Sequence, residues 1–181
     1  MPKIIAGVKE KIISATCEII ARGDYSGFSA RQIASSCSIA VGTLYNYFPS
    51  MESLMVTIIG DEWCATLAEM DERCKEATSV AEGLDLILRG IRRFTEKYIK
   101  FWTSAIRSNE TLAIGGSWHL PLREEISARI LSVLERFGYT PKATLLPAMA
   151  EIIISLGAGC NIELEVASEL VMTVAERCCR D

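Results

Sequence analysis

Ile5, Val8, Ile12, Ala15, Thr16, Ile19 and Ile20 recur three or four residues apart, with Lys9, Lys11, Glu18 and Arg22 facing the other way. Such spacing gathers apolar residues on one face of a helix and on no face of a strand. The same periodicity returns in segment after segment. No stretch sustains the alternation of a strand, and no internal repeat is visible. The chain is therefore expected to be all-α.

Turn and cap residues divide this helical pattern. Gly23-Asp24 stops the first helix, which spans 4–22. Ser29 caps a short helix through Ser36 that turns Ile33 and Ala34 inward, and Cys37-Ser38-Ile39 breaks it. A second short helix runs from Ala40 to Asn46 and stops at Pro49. Ser50 then caps a long helix to about Ala77, and Glu52 complements its N-terminal dipole. Another long helix is predicted from Val80 to Ser104 or beyond. The Gly115-Gly116 break follows, and Pro121 opens a helix through Arg136. Thr140 and Pro141 have the cap and first-position chemistry of the next helix, which Pro147 should kink or delay. Asn161 caps the last, which reaches about Cys178.

Composition narrows the function classes. The 181 residues are 50% hydrophobic and 23% charged, so disorder is excluded and a sizeable core is within reach. A mean hydropathy of +0.25 raises the question of a membrane. The longest apolar run, Ile152 to Cys160, lies between Glu151 and Glu163, well short of the roughly 20 residues a span needs. The N-terminus lacks the three-part pattern of a signal peptide. A soluble, cytoplasmic protein without membrane contact is expected. Seven cysteines with no C-x-x-C fit a reducing compartment, and adjacent Cys178 and Cys179 are too constrained for an ordinary mutual disulfide.

Catalysis finds little to work with. There is one histidine, His119, and no phosphate-binding glycine loop, G-x-S-x-G or H-E-x-x-H. The carboxylates are scattered along exposed helical faces, where pairing with i,i+4 bases is their ordinary role. Neither enzyme activity, a metal site nor a cofactor is expected. Buried inert thiols are the simpler reading of Cys64 and Cys160 than redox sensors.

Bulk charge does not point to nucleic acid either. The net charge is −4, with five basic and four acidic residues in 1–55 and the excess acid beyond. A local motif does point there. Two short helices joined by a tight turn and followed at once by a long helix form a helix-turn-helix. Within it stand Ile33-Ala34, Gly42-Thr43-Leu44-Tyr45, Tyr47-Phe48 and Ser50-x-Glu52-x-Leu54, with Gly23 ahead of them. This stretch closely resembles the DNA-binding region of the tetracycline-repressor (TetR) family over roughly the first 55 residues. Ile33, Ala34, Ile39, Leu44 and Phe48 would form its small core. The resemblance implies that Arg31, Val41, Gly42 and Thr43 face base edges, that Tyr45 and Tyr47 contact phosphates, and that Asn46 shares their face. An arginine fork suits guanine, a threonine methyl suits thymine, and a tyrosine hydroxyl suits phosphate.

The chain departs from the family pattern at Ser38, where a turn glycine is usual, at Ala40, where a Ser or Thr cap is usual, and at Met51, where a phosphate-binding lysine is usual. Lys3, Lys9 and Lys11 could restore some backbone contact. Fewer phosphate contacts imply weaker binding and a shallower salt dependence.

The resemblance also implies the rest of the architecture: an N-terminal three-helix DNA-binding domain over 1–48, and a C-terminal helical domain over 49–181 for effector binding and dimerisation. Trp63, Leu67, Phe94, Tyr98, Phe101, Trp102, Trp118 and His119 are the candidate pocket residues, suited to an apolar or aromatic small molecule. Helical stripes of this kind also arise in a plain core. Leu145–Leu156 and Val166–Ala175 are apolar on more than one stripe, so Ile153, Leu156, Leu170 and Val174 are the candidate dimer contacts. The expected function is a ligand-released repressor that binds a palindromic double-stranded operator as a homodimer. The alternative is a protein of the same fold that binds a small molecule or protein partner and has lost operator recognition.

Overall fold

The computed structural model describes residues 7–23, 28–107, 119–141, 145–159 and 162–178, and the side chains of these except 99–107, 119–120 and 175–178. The described residues hold eight helices and no strand: α1 (Val8–Arg22), α2 (Ala30–Ser36), α3 (Val41–Tyr47), α4 (Met51–Glu76), α5 (Val80–Arg107), α6 (His119–Arg136), α7 (Leu145–Ala158) and α8 (Leu164–Cys178). The chain forms two compact units, Met1–Glu62 with Ile99–Ala113 and Trp63–Tyr98 with Ile114–Asp181. α4 and α5 thus each supply residues to both.

In the first unit α1 packs on α2 and α2 on α3. Ile12, Ile33 and Leu44 are fully buried, and Ile19, Ile20, Ala34, Cys37 and Phe48 nearly so. Buried Thr16 satisfies its hydroxyl by donating to the Ile12 carbonyl at 2.7 Å. α1 begins at Val8 after Gly7, which takes φ 80°. The residues ahead of Gly7, including Lys3, lie outside those described.

In the second unit the core runs along one face of α5, where Val80, Leu84, Ile87, Leu88 and Ile91 are buried at helical spacing. Trp63, Leu67 and Met70 from α4 join it, with Ile126, Ile130 and Val133 from α6, Met149, Ile153 and Ile154 from α7, and Ala167 and Val171 from α8. Caps fix the helix starts. Ser79 Oγ accepts from the Glu82 N–H at 3.1 Å, while the Glu82 carboxylate accepts from the Thr78 N–H and hydroxyl at 2.7 Å each. Those bonds hold the Glu82 carboxyl below its usual range. Gly138, at φ 82°, closes α6: the Tyr139 N–H reaches the Leu134 carbonyl and the Gly138 N–H that of Glu135, both at 3.0 Å.

Pro141 lies outside the helices, and Pro147 lies within α7, which is described from Leu145; Pro121 lies within α6, described from His119. Residues 142–144 and 108–118, where these helices would begin if they began earlier, lie outside those described. Asn161, expected to cap α8, lies outside the described residues.

The α7 end is anchored on α5. Arg92, 5% exposed, donates Nη2 to the Leu156 carbonyl at 2.7 Å and Nη1 to that of Ile162 at 3.0 Å. A buried guanidinium thereby meets the Leu156 carbonyl at the negative end of α7 and the Ile162 carbonyl ahead of α8. Beside it Gly157 lets α7 approach α5: a Cβ there would stand 2.6 Å from Ile91 Cγ2 and 2.8 Å from Ile91 Cβ. Because Ile91 Cβ is fixed to its helix, Gly157→Ala is expected to lower stability by about 1–3 kcal/mol. Chemical denaturation checks this, and an unchanged midpoint would contradict the close packing.

Candidate nucleic-acid interface and effector region

α2 begins at Ser29, whose Oγ accepts from the Gln32 N–H at 3.3 Å. It ends in a closed turn in which the Ile39 N–H donates to the Ala34 carbonyl at 2.9 Å and the Ser38 N–H to that of Ser35 at 3.0 Å. This pattern needs a left-handed residue at its corner. Ser38 fills the position at φ 55°, the one described non-glycine residue with positive φ. The next residue, Ile39, is only half-buried, so it stands at the edge of the small core and not within it.

Cys37 takes the inner place, 1% exposed, with its thiol donating to the Lys11 carbonyl at 3.5 Å. Burial pushes this thiol above its usual range, and nearby Lys11 opposes the shift more weakly. It is a satisfied core thiol, kept protonated. Phe48 closes the same core, with the Lys9 ammonium 5.9 Å from its ring centroid.

α3 carries no side-chain cap: Ala40 is extended, at φ −72° and ψ 149°, and offers nothing to the free N–H groups. With Leu44 turned inward, the rest of α3 faces out. Arg31, Gly42, Tyr45 and Asn46 are exposed, and Val41, Thr43 and Tyr47 are half-buried around them. Tyr45 is 42% exposed, which is high for an aromatic ring. A Cβ added at Gly42 would meet nothing within 4 Å, so no neighbour within the chain requires a glycine there. α4 starts on a reciprocal box: the Ser53 N–H donates to Ser50 Oγ at 3.0 Å and the Ser50 N–H to Ser53 Oγ at 3.2 Å. Met51 beside it is half-buried.

Of the candidate effector residues, Trp63, Leu67, Phe94, Tyr98, Trp118 and His119 belong to the second unit, and Phe101 and Trp102 to the first. Trp63, Phe94 and Tyr98 form a row, with ring centroids 4.9 Å and 5.2 Å apart. Trp63, Leu67 and Tyr98 are buried, and Phe94 is half-buried. The Trp63 indole N–H donates to a Glu125 carboxylate oxygen at 2.6 Å, a partner that spacing alone did not reveal. The side chains of Phe101, Trp102 and His119, and all of Trp118, lie outside what the structure describes. A separate groove of about 660 Å³ opens between α4 and α6, lined by Asp71, Cys74, Lys75, Arg129, Ser132 and Arg136 among others. Its pairs, Arg129 with Asp71 at 2.9 Å and Lys75 with Glu72 at 2.6 Å, largely neutralise one another. Among the described residues no cluster of His, Cys, Asp and Glu could hold a metal, and no helix is long and apolar enough to cross a membrane.

On α7 and α8 the structure separates neighbours that the sequence groups together. Ile153 is 3% exposed and belongs to the core of its own unit, so it presents no surface to a partner. Ile152 is 41% exposed. Leu156 and Val174 are half-buried, while Val166 and Leu170 are 48% and 47% exposed.

Residues 12–58 match the family model of bacterial regulatory proteins, tetR family. The HTH-type transcriptional repressor KstR of Mycobacterium tuberculosis is 29% identical over 89 residues, which cover 49% of this chain and 40% of that protein. The chain thus spans well under two thirds of that relative. The HTH-type transcriptional regulator UidR of Escherichia coli is 22% identical over 87% of this chain and 82% of its own. Thermus thermophilus FadR, a TetR-family transcriptional repressor solved in complex with lauroyl-CoA, superposes with a TM-score of 0.60 at 18% identity, over 93% of each chain.

The strained corner gives a direct check. Ser38→Gly is expected to raise the unfolding free energy by about 1 kcal/mol, since a side chain at positive φ costs roughly that much. A lower denaturation midpoint for the glycine variant would contradict the turn geometry.

Proposed function

We propose, on the strength of the tetR-family match over residues 12–58, that this chain is a homodimeric cytoplasmic transcription regulator of that family, a repressor released from its operator by a small molecule. The observation that carries the reading is the outward face of α3. A chain gains nothing internally by holding Tyr45, Asn46 and Gly42 open to solvent on a seven-residue helix. A duplex groove uses all three. Arg31, Val41, Gly42 and Thr43 read base edges, and Tyr45 and Tyr47 hold phosphates on either side. The lack of a Cβ at Gly42 lets the α3 backbone come close to DNA.

One such helix touches few bases, so two copies reading a palindrome are required. Ile152 on α7, with Val166, Leu170 and Val174 on α8, forms the contact between copies. The effector, an apolar or aromatic small molecule, lodges near Trp63, Phe94 and Tyr98. α4 runs unbroken from Met51 to Glu76 and carries Trp63, so a displacement at the indole is transmitted along it to the reader. Release follows only if the effector binds the two conformations with different affinity. A partner-binding protein without an operator is the second reading, favoured by the uncapped α3 and by Met51 at the start of α4.

Selection from random duplex DNA by the purified chain is expected to yield a palindrome. Gly42→Ala should weaken binding to it by roughly ten-fold or more while leaving thermal stability equal or higher, because a helical glycine exposed to solvent is itself unfavourable. Thr43→Ala with Tyr45→Ala should abolish enrichment. Failure of the folded wild type to enrich any sequence at low salt would favour the second reading.

Sedimentation tests the interface. Ile152→Lys or Leu170→Lys should convert a dimer to a folded monomer that no longer binds the palindrome. A variant that stays dimeric would refute the placement. Ile153→Lys is no substitute, since it would bury a charge in the monomer core.

A further inference from the structure

Glu125 and Arg129 stand at i and i+4 on α6, the order and spacing at which a carboxylate and a base ordinarily pair. Here they do not. Arg129 donates Nη2 to Asp71 on α4 at 2.9 Å and Nη1 to the backbone carbonyl of Glu125 at 2.9 Å. The half-buried Glu125 carboxylate turns instead to the Trp63 indole, 2.6 Å away. Among the described residues no Lys or Arg makes an ion pair with it. A fixed negative charge, held by a buried neutral donor, therefore stands at the Trp63 end of the ring row Trp63–Phe94–Tyr98.

The face of an aromatic ring is negative and attracts cations, most strongly where water is scarce. The row already shows this property: the Lys97 ammonium lies 5.5 Å from the Tyr98 centroid. At the Trp63 end a carboxylate, bonded to the indole N–H, takes the place of a lysine.

We propose that Glu125 and the Trp63–Phe94–Tyr98 row select an organic cation, an ammonium group carried on an apolar or aromatic body, as the effector. This rests on the effector-site reading above and names its ligand class. The apolar body replaces ring–ring contacts within the row, and the ammonium meets Glu125, with which no described Lys or Arg makes an ion pair. A polyanionic thioester brings like charge to the same carboxylate and is disfavoured.

The test uses the full chain and titration calorimetry with benzyltrimethylammonium, its neutral isostere neopentylbenzene, and lauroyl-CoA. Wild type should bind the cation about ten-fold or more tightly than the isostere. Glu125→Gln keeps a carbonyl oxygen for the Trp63 indole but removes the charge. It should erase the preference, so that this variant binds the cation no more tightly than the isostere. The proposal is overturned by equal affinity of wild type for cation and isostere, by no detectable cation binding, by a preference that survives in E125Q, or by tighter binding of lauroyl-CoA. Operator selection needs no ligand, so its outcome judges the regulator reading separately from this ratio.

Discussion

Two helices of seven residues have no stability of their own in water; each is far below the length at which an isolated helix persists. α2 and α3 exist because Ile33, Ala34, Cys37, Leu44 and Phe48 are buried in one small core with Ile12, Thr16, Ile19 and Ile20 of α1. That burial fixes which side of α3 is hidden. It leaves Gly42, Tyr45 and Asn46 outward as a consequence. The geometry of that outward face is thus set by the apolar residues buried behind it. The left-handed Ser38 is the local cost of turning the chain so tightly, and it is the position where the sequence least suits its backbone.

The second unit follows a related logic on a larger scale. α5 is the element to which the others are attached: its apolar stripe meets the core, Arg92 grips the carbonyls of Leu156 and Ile162, and Ile91 receives Gly157. These contacts fix the rotation of α7, and so decide that Ile153 points inward and Ile152 outward. An apolar face left uncovered on α7 and α8, with Val166 and Leu170 nearly half exposed, is unusual for residues of this size. It is the observation on which the proposed pairing with a second copy rests.

Much of this was legible in the residues. Helix breaks at Gly23, Pro49 and Gly138, the cap at Ser29, the strained turn at Ser38 and the missing cap at Ala40 all rest on local chemistry that a sequence carries openly. Illegible features depended on partners distant in the chain. Three consecutive isoleucines at 152–154 have no internal phase, so periodicity could not say which of them faces out. Ile39 reads as core by composition but follows a left-handed residue that swings it to the edge, while Cys37 takes the inner place through a bond to Lys11. Glu125 looked like one more carboxylate on a solvated face. Its role appears only when α4 brings Trp63 to it and Asp71 draws Arg129 away.

The central claim is that the outward face of α3 meets the phosphate-lined groove of a duplex. Binding of the chain to its selected duplex across a range of salt concentrations tests it most directly, for wild type and for Met51→Lys. The account predicts a linear fall of log affinity with log salt, and a slope steeper by about 0.9 in the lysine variant, the amount expected of one added phosphate contact. Binding that ignores salt, or a slope that Met51→Lys leaves unchanged, would contradict it.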